Sequence, residues 1–314
     1  MNSILLLTEL LRRHTVFNRL LTTSVPGLQL LHCSFPSQPL YAAQGPCLAL
    51  LVQGAKSLRF GQVELRYAGG QYLLTSIDLP VTSRILEASP ERPMLGLAMT
   101  IEPDALAHVT RRASARVRAG GQSAVAVHDA DPELLQAVLR LVALLNTPEH
   151  AAGLGPIYQQ EILYRLLVGP SGARLLQLAC SDSPSNRIAQ VMARLRDTYA
   201  LPLRVENLAR EVGMSVSTFH HHFKEVSRLT PIQFQKALRL HEARRLMLVE
   251  RCDVGEASYQ VGYQSPSQFT KDYRRYFGAT PRDDVRGLRL AGGLNWTGDT
   301  YLPLDGSHPT SWDR

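Results

Sequence analysis

The sequence predicts an α+β protein: a β-rich N-terminal domain with packed helices, followed by an all-α C-terminal domain. Three observations carry this reading. Short apolar runs separated by glycine fill residues 48–101, helical periodicity takes over from Asp131, and a repeat of about fifty residues recurs within 187–285. A chain of 314 residues has room for two domains.

After an N-terminal helical stretch, Leu48–Val52, Val63–Tyr67 and Tyr72–Ile77 read as strands. Gly54, Gly61 and Gly69-Gly70 separate them in the manner of antiparallel hairpins. Pro80, Pro90 and Pro93 exclude helix from the next stretch, and residues 94–101 and 123–128 supply further strands. Many short strands with Gly-rich turns predict a small barrel or sandwich. Asp131-Pro132-Glu133 then opens a helix, with Pro at its first position and acid in its first turn. Leu134, Leu135, Val138, Leu141, Val142 and Leu145 follow at helical spacing. Helices over Pro156–Val168 and Ala173–Ala179 complete a first domain spanning 1–182, which packs on the strands or meets a second subunit. A polar linker, 181–185, leads to a helical domain over 187–286. The tail, 287–314, is rich in Gly, Pro, Asp and Thr without periodicity and is predicted to be disordered.

Composition narrows the function classes. The apolar runs near the start are too short to span a bilayer, and Glu9, Arg12 and Arg13 interrupt them. Basic residues follow that stretch rather than precede it, unlike a secretion signal. Cys33, Cys47, Cys180 and Cys252 are too scattered for a disulfide framework or a Cys-x-x-Cys zinc site, so a reducing, cytoplasmic setting is expected. The net charge of +7 is local. Residues 185–290 hold 18 Lys/Arg against 11 Asp/Glu, while the rest of the chain balances 16 against 16. One third of the chain is thus suited to a polyanion, nucleic acid or membrane surface alike.

The repeat decides between them. In 209–231 and 258–281, Val212-Gly213 matches Val261-Gly262; one added residue later, Phe219 matches Phe269, Phe223 matches Tyr273, and Thr230-Pro231 matches Thr280-Pro281. Each copy has the physics of a helix-turn-helix. A small residue (Ala209, Ser258) precedes by four a Gly suited to the tight turn, and Ser215 or Ser265 caps the second helix. That helix buries Phe219, Phe223 and Val226 in one copy, and Phe269, Tyr273 and Phe277 in the other. The opposite faces carry Ser217, His220, His221 and Lys224, and then Ser267, Gln268, Lys271 and Arg275. Small, polar and basic residues on an exposed helix face can enter a major groove about 12 Å wide and reach base edges. Base reading is assigned to Ser217, His220, His221, Ser267, Gln268 and Lys271, and phosphate contact to Lys224, Arg239, Arg274, Arg275 and Arg282. Between the copies, Pro231–Leu248 reads as one long helix that would set two recognition helices on successive turns of one DNA face, about 34 Å apart.

These strings resemble the DNA-binding domain of the AraC/XylS family. The matching pieces are Leu208-Ala209, Gly213-Met214-Ser215, Phe219-x3-Phe223-Lys224, Pro231-x2-Phe234-x4-Arg239-Leu240, and Val261-Gly262-Tyr263-x5-Phe269-x3-Tyr273-x3-Phe277-Gly278-x2-Pro281. Ser258 replaces the usual Ala, and Arg228 stands where Gly commonly ends the first recognition helix. Over about 20–180, Tyr67 to Val81 and Ala88 to Pro93 are similar to the cupin-like N-terminal domain of one branch of that family. The resemblance implies a sequence-specific regulator of transcription that contacts RNA polymerase, with a small-molecule effector pocket or a homodimer surface in the N-terminal domain. Activation and repression both fit, and neither cofactor nor metal is implied.

Other chemistries are weaker. Consecutive helical residues diverge by about 100°, so His220, His221 and His222 cannot converge on one ion. His14, His32, His108, His128 and His150 are scattered, unlike a cupin metal cluster. Gly69-Gly70 precedes no helix, and Gly169-Pro-Ser171-Gly172 lacks the spacing of a nucleophile elbow. Cys33 and Cys47 are either small hydrophobes or sensors of electrophiles. The rival reading is a DNA-associated enzyme, either a methyl-acceptor repair protein or a cupin-type catalyst, but Cys spacings of 14, 133 and 72 do not supply the four-Cys zinc site of the former.

Overall fold

The computed structural model describes residues 3–15, 19–37, 39–60, 63–77, 79–113, 125–179 and 183–290. Two antiparallel sheets face each other in the N-terminal half. The first has the order β1 (Arg19–Thr22), β2 (Leu28–Cys33), β9 (Met94–Thr100), β4 (Cys47–Gln53), β7 (Gln71–Thr75), β10 (Val125–Asp129). The second has the order β3 (Leu40–Gln44), β8 (Leu79–Glu87), β5 (Ala55–Phe60), β6 (Val63–Ala68). Of the expected hairpins only β5–β6 forms; at Gly54 and at Gly69-Gly70 the chain crosses from one sheet to the other, so β4 pairs with β7 and β9 rather than with β5. β8 absorbs Pro80, and β2, β3 and β5 are strands that the sequence reading did not mark.

Alternation sorts each strand of the six-stranded sheet into two faces. One face, with Leu28, Leu30, Leu48 and Leu50, lies under α1 (Ser3–His14), which packs on β2, β4 and β9. The other face, with Gln29, Cys33, Cys47, Ala49 and Ala98, looks across to the four-stranded sheet, where Gln44 donates to Cys47 Sγ at 3.0 Å. α2 (Pro103–Ala113), α3 (Pro132–Ala143), α4 (Ala151–Val168) and α5 (Gly172–Ala179) complete the domain. Asp131 caps α3 by accepting from the Leu134 amide at 2.7 Å, as its sequence signature predicts. α4 begins a turn before Pro156, so the proline sits inside the helix rather than at its start.

The C-terminal half is all helix: α6 (Pro184–Asp197), α7 (Val205–Glu211), α8 (Val216–Ser227), α9 (Pro231–Arg245), a π-turn over Leu246–Glu250, α10 (Val254–Gln260), α11 (Pro266–Phe277) and α12 (Pro281–Leu290). α12 therefore continues past Gly287; the predicted disorder of 291–314 lies outside the described residues. Among the described residues no helix is long and apolar enough to cross a membrane.

One hydrophobic cluster runs from the sheets through α6 and α8 into the first half of α9, ending at Leu238; a second gathers the latter half of α9 with α10, α11 and Val285. Arg174 of α5 bridges the halves. It is buried, donates to Ser76 Oγ at 3.2 Å and to Ser185 Oγ at 3.0 Å, and so ties the turn after β7 to the start of α6. Burial lowers its pKa to about 10, although the Glu225 carboxylate of α8 acts in the opposite sense.

Candidate nucleic-acid interface

Both repeat copies fold as helix-turn-helix units. α7 and α8 flank Gly213 (φ 65°), α10 and α11 flank Gly262 (φ 88°), and each glycine supplies a left-handed turn. Ser215 accepts from the Thr218 amide at 3.2 Å, and Ser265 from the Gln268 amide at 3.3 Å, so both second helices start on the predicted caps. Phe219, Phe223, Phe269 and Tyr273 are wholly buried. Phe277 is half-buried and Tyr276 is exposed. The seam holds because Phe223 meets Phe234 of α9 edge-on and Tyr273 stacks against Phe277.

With those aromatics inward, a 100° step per residue places Ser217, His221 and Lys224 opposite the core on α8, and Ser267, Lys271 and Arg274 on α11. All six are exposed, and they are equivalent positions of the repeat. His220 lies half-buried on the flank. His222 is also half-buried and lies 3.3 Å from Glu225, which leaves it turned away from the reading face. Gln268 and Arg275 flank the second face; both engage Asp272, Arg275 at 3.7 Å. Arg282 is exposed on α12.

Arg239 corrects the expectation of a phosphate contact. Its guanidinium donates to four backbone carbonyls: Tyr199 at 2.7 Å, Gly262 at 3.0 Å, and Ala200 and Leu201 at 3.1 Å. The cause is the setting of α9, which both units flank so that little of it meets solvent. Its other cations are also engaged. Lys236 pairs with Asp272 at 2.9 Å, Arg244 makes a bidentate pair with Asp284 at 2.7 Å, and Arg245 pairs with Glu242 and Glu250. Tyr273 donates to the same Asp284, and the Arg244 guanidinium lies over the Phe277 ring. α9 is thus an ion-paired spacer rather than a phosphate surface.

Sequence reasoning missed Asp272. Burial alone would raise its pKa, yet hydrogen bonds from Lys236 and Gln268 and the charges of Lys236 and Arg275 hold it below the usual carboxylate range. A lone acid beside Phe269 and Tyr273 on an otherwise apolar stripe was the available signal. His241, buried against Tyr276 and Phe277, has its pKa pushed down to about 3 by burial and the nearby Arg244 charge, so it stays neutral.

Arg228 ends α8 at φ 59° and ψ 11°, where Gly278 does the same for α11 at φ 82°. An L-side chain there costs about 1 kcal/mol. Arg228→Gly is expected to stabilise the protein by roughly that amount, read as a melting temperature a few degrees higher. A lower one would show that the side chain contributes more than the strain costs.

Among the described residues, no group of three or more His, Cys, Asp and Glu comes together in a way that could hold a metal ion. Two helix-turn-helix units on one rigid spacer, behind a β-rich domain, define a class of two-domain DNA-binding regulators. Residues 24–174 match the family described as AraC-type transcriptional regulator N-terminus, and residues 208–286 match a helix-turn-helix domain. The transcriptional activator RhaS of Escherichia coli is 30% identical over 154 residues, which cover 49% of this chain and 55% of that protein. The chain therefore aligns with about half the length of these relatives. Its fold is that of Vibrio cholerae ToxT. An apo point variant superposes with a TM-score of 0.54 at 9% identity, covering 84% of this chain and 98% of that one. A ToxT structure with unsaturated fatty acid bound gives 0.51 at 9% identity, covering 82% and 94%. The chain belongs to the AraC/XylS family of transcriptional regulators.

Proposed function

We propose that this chain binds double-stranded DNA sequence-specifically through α8 and α11, and that a small molecule in its β-rich domain controls that binding. One observation carries the first half: two equivalent exposed triads, Ser217/His221/Lys224 and Ser267/Lys271/Arg274, stand on helices whose other faces are buried in aromatics. The lateral residues His220 and Gln268 read bases beside them, while Lys224, Arg274, Arg275 and Arg282 hold phosphates. His221 and Lys271 occupy the same place in the two copies, so the half-sites they read differ and the operator is asymmetric. Arg174, joining the β-rich domain to α6 next to α8, supports communication between effector and DNA. Family membership supports contact with RNA polymerase, activation of transcription, a cytoplasmic location and the absence of enzymatic turnover. A second copy would meet α4, where Leu154, Ile157 and Tyr164 are exposed.

Footprinting across the neighbourhood of the gene, followed by affinity measurements on the protected site, tests this. Log affinity should fall linearly with log salt. His221→Ala and Gln268→Ala should each cost about 1–3 kcal/mol on the cognate site and almost nothing on random DNA. Equal losses on both, or a flat salt response, would overturn the assignments.

A further inference from the structure

Asp272 is a buried acid on the recognition helix of the second unit, and its partners come from three elements. The spacer helix sends Lys236, whose Nζ lies 2.9 Å from Oδ2, and the turn before α11 sends the Tyr263 hydroxyl, 3.5 Å from the same oxygen. Oδ1 is left for α11 itself, with the Arg275 guanidinium 3.7 Å away. Gln268 stands exposed one turn earlier, at the spacing where Gln and Asp side chains meet on a helix, and it donates to the carboxylate. The first unit has no such pair. Thr218 occupies the place of Gln268 and is tied to the Ser215 cap at 2.8 Å, and His222 occupies the place of Asp272.

A carboxylate only accepts hydrogen bonds, so Asp272 can take an N–H of Gln268 but never its Oε1. An amide has two N–H groups, one on the side of its carbonyl oxygen and one on the far side. Bidentate pairing with adenine uses the oxygen, on N6–H, and the near N–H, on N7. Only the far N–H is then left over, and an acid one turn behind the side chain is the partner it needs. An unanchored amide turns over freely and can offer its N–H groups to guanine O6 and N7 instead. An anchored one also enters the groove with less freedom to lose.

We infer that Asp272 is a positioning residue that sets specificity: it holds the Gln268 amide by one N–H, with the carbonyl oxygen turned to the major groove, so that the second unit reads an adenine. Lys236 balances the acid's charge from the protein side, so the anchor adds little repulsion toward phosphate. The inference rests on the reading of α11 as a recognition helix and names the base that Gln268 selects.

Binding of the full-length protein to duplexes of the footprinted site, with all four base pairs tried at each position of the second unit's half, tests it. The unmodified protein should favour adenine over guanine about ten-fold at one position. Gln268→Ala should remove that preference and no other. Asp272→Asn, which offers a donor as well as an acceptor, should cut it to about three-fold or less and leave preferences in the first unit's half as they were. 7-Deazaadenine there, which lacks the N7 acceptor, should weaken binding by the unmodified protein and not by Gln268→Ala. The inference is overturned if Asp272→Asn keeps the preference, if it weakens all four base pairs alike as a purely structural role would, if 7-deazaadenine binds like adenine, or if the base lost with Gln268→Ala is not adenine. A preference that Gln268→Ala removes and Asp272→Asn keeps leaves Gln268 a base reader and removes only its anchor; no preference lost with Gln268→Ala removes both. Should Asp272→Asn fail to fold, the two side-chain amide protons of Gln268 in the unbound protein decide, assigned in NMR spectra by their loss in Gln268→Ala. One proton shifted downfield and protected from exchange supports the anchor, and two with the shifts and exchange of a solvated amide overturn it.

Discussion

Replacing Arg239 with methionine should destabilise the DNA-binding half rather than weaken its grip on phosphate. The guanidinium holds the carbonyls of Tyr199, Ala200, Leu201 and Gly262, joining the segment after α6 to the turn of the second helix-turn-helix. Methionine fills similar space and offers no donor, so partly buried carbonyls lose their partners at about 1–3 kcal/mol each when water cannot reach them. The residue is only half-buried, so water rescues some of them, and a total of about 3 kcal/mol is expected. In a domain of this size that lowers the melting temperature by about 10 °C or more. The salt dependence of DNA binding, measured on the folded fraction, should not change. An unaltered melting temperature with a salt slope smaller by about one would return Arg239 to the phosphate backbone.

Gly262→Ala should be far worse than Gly213→Ala, although the two glycines fill the same place in the repeat. Both have positive φ, which costs an alanine about 1–2 kcal/mol. At Gly213 the new methyl meets only the end of the Arg187 side chain, at 3.7 Å. At Gly262 it would lie 2.1 Å from the Ala200 carbonyl oxygen, 2.9 Å from the carbonyl carbon and 3.0 Å from Cα. Backbone cannot swing aside as a side chain can. The Ala200 segment must move, and Arg239 would lose its carbonyls with it. A cost of about 4 kcal/mol or more is expected for Gly262→Ala against 1–2 for Gly213→Ala, with the double variant Gly262→Ala/Arg239→Met less than additive. Chemical denaturation of the two single variants checks this, and equal midpoints would refute it.

The helix-turn-helix units were legible in the sequence because their constraints are local. A glycine in a turn, a serine cap and aromatics four apart each act within one or two turns of chain, and the repeat states them twice. The turns at Gly54 and Gly69-Gly70 were legible for the same reason, but not that each carries the chain from one sheet to the other instead of closing a hairpin. β5 and β8 were not. Lys56 and Arg59 interrupt the apolar run of one, and Pro80 and Arg84 that of the other, and only their partners in the second sheet make them strands. α2 opens with Pro103-Asp104, much as α3 opens with Pro132-Glu133, and buries Leu106, Val109 and Ala113 at helical spacing, but with only two large apolar residues the period is easily overlooked. The fate of a cation is a tertiary matter. Arg239 and Lys271 look alike in a list of basic residues; one is wrapped by carbonyls because α9 lies between two packed units, and the other stands in solvent because it lies on the face of α11 opposite buried Phe269 and Tyr273.

The way the hydrophobic clusters divide has a consequence for how this protein can be cut and recombined. The covalent linker lies before Ser183, but the apolar interior is continuous across it and parts only within α9, between Leu238 and Leu240. A fragment begun at the linker would expose the face of α6 that rests on α5 and the face of α9 that rests on β3 and β8. The second reading unit is the more autonomous piece, and the first belongs physically to the sensor. Chimeras that exchange sensory halves among relatives should therefore graft best when the junction is moved into the middle of the spacer helix, so that the first reading unit travels with the sensor it packs against.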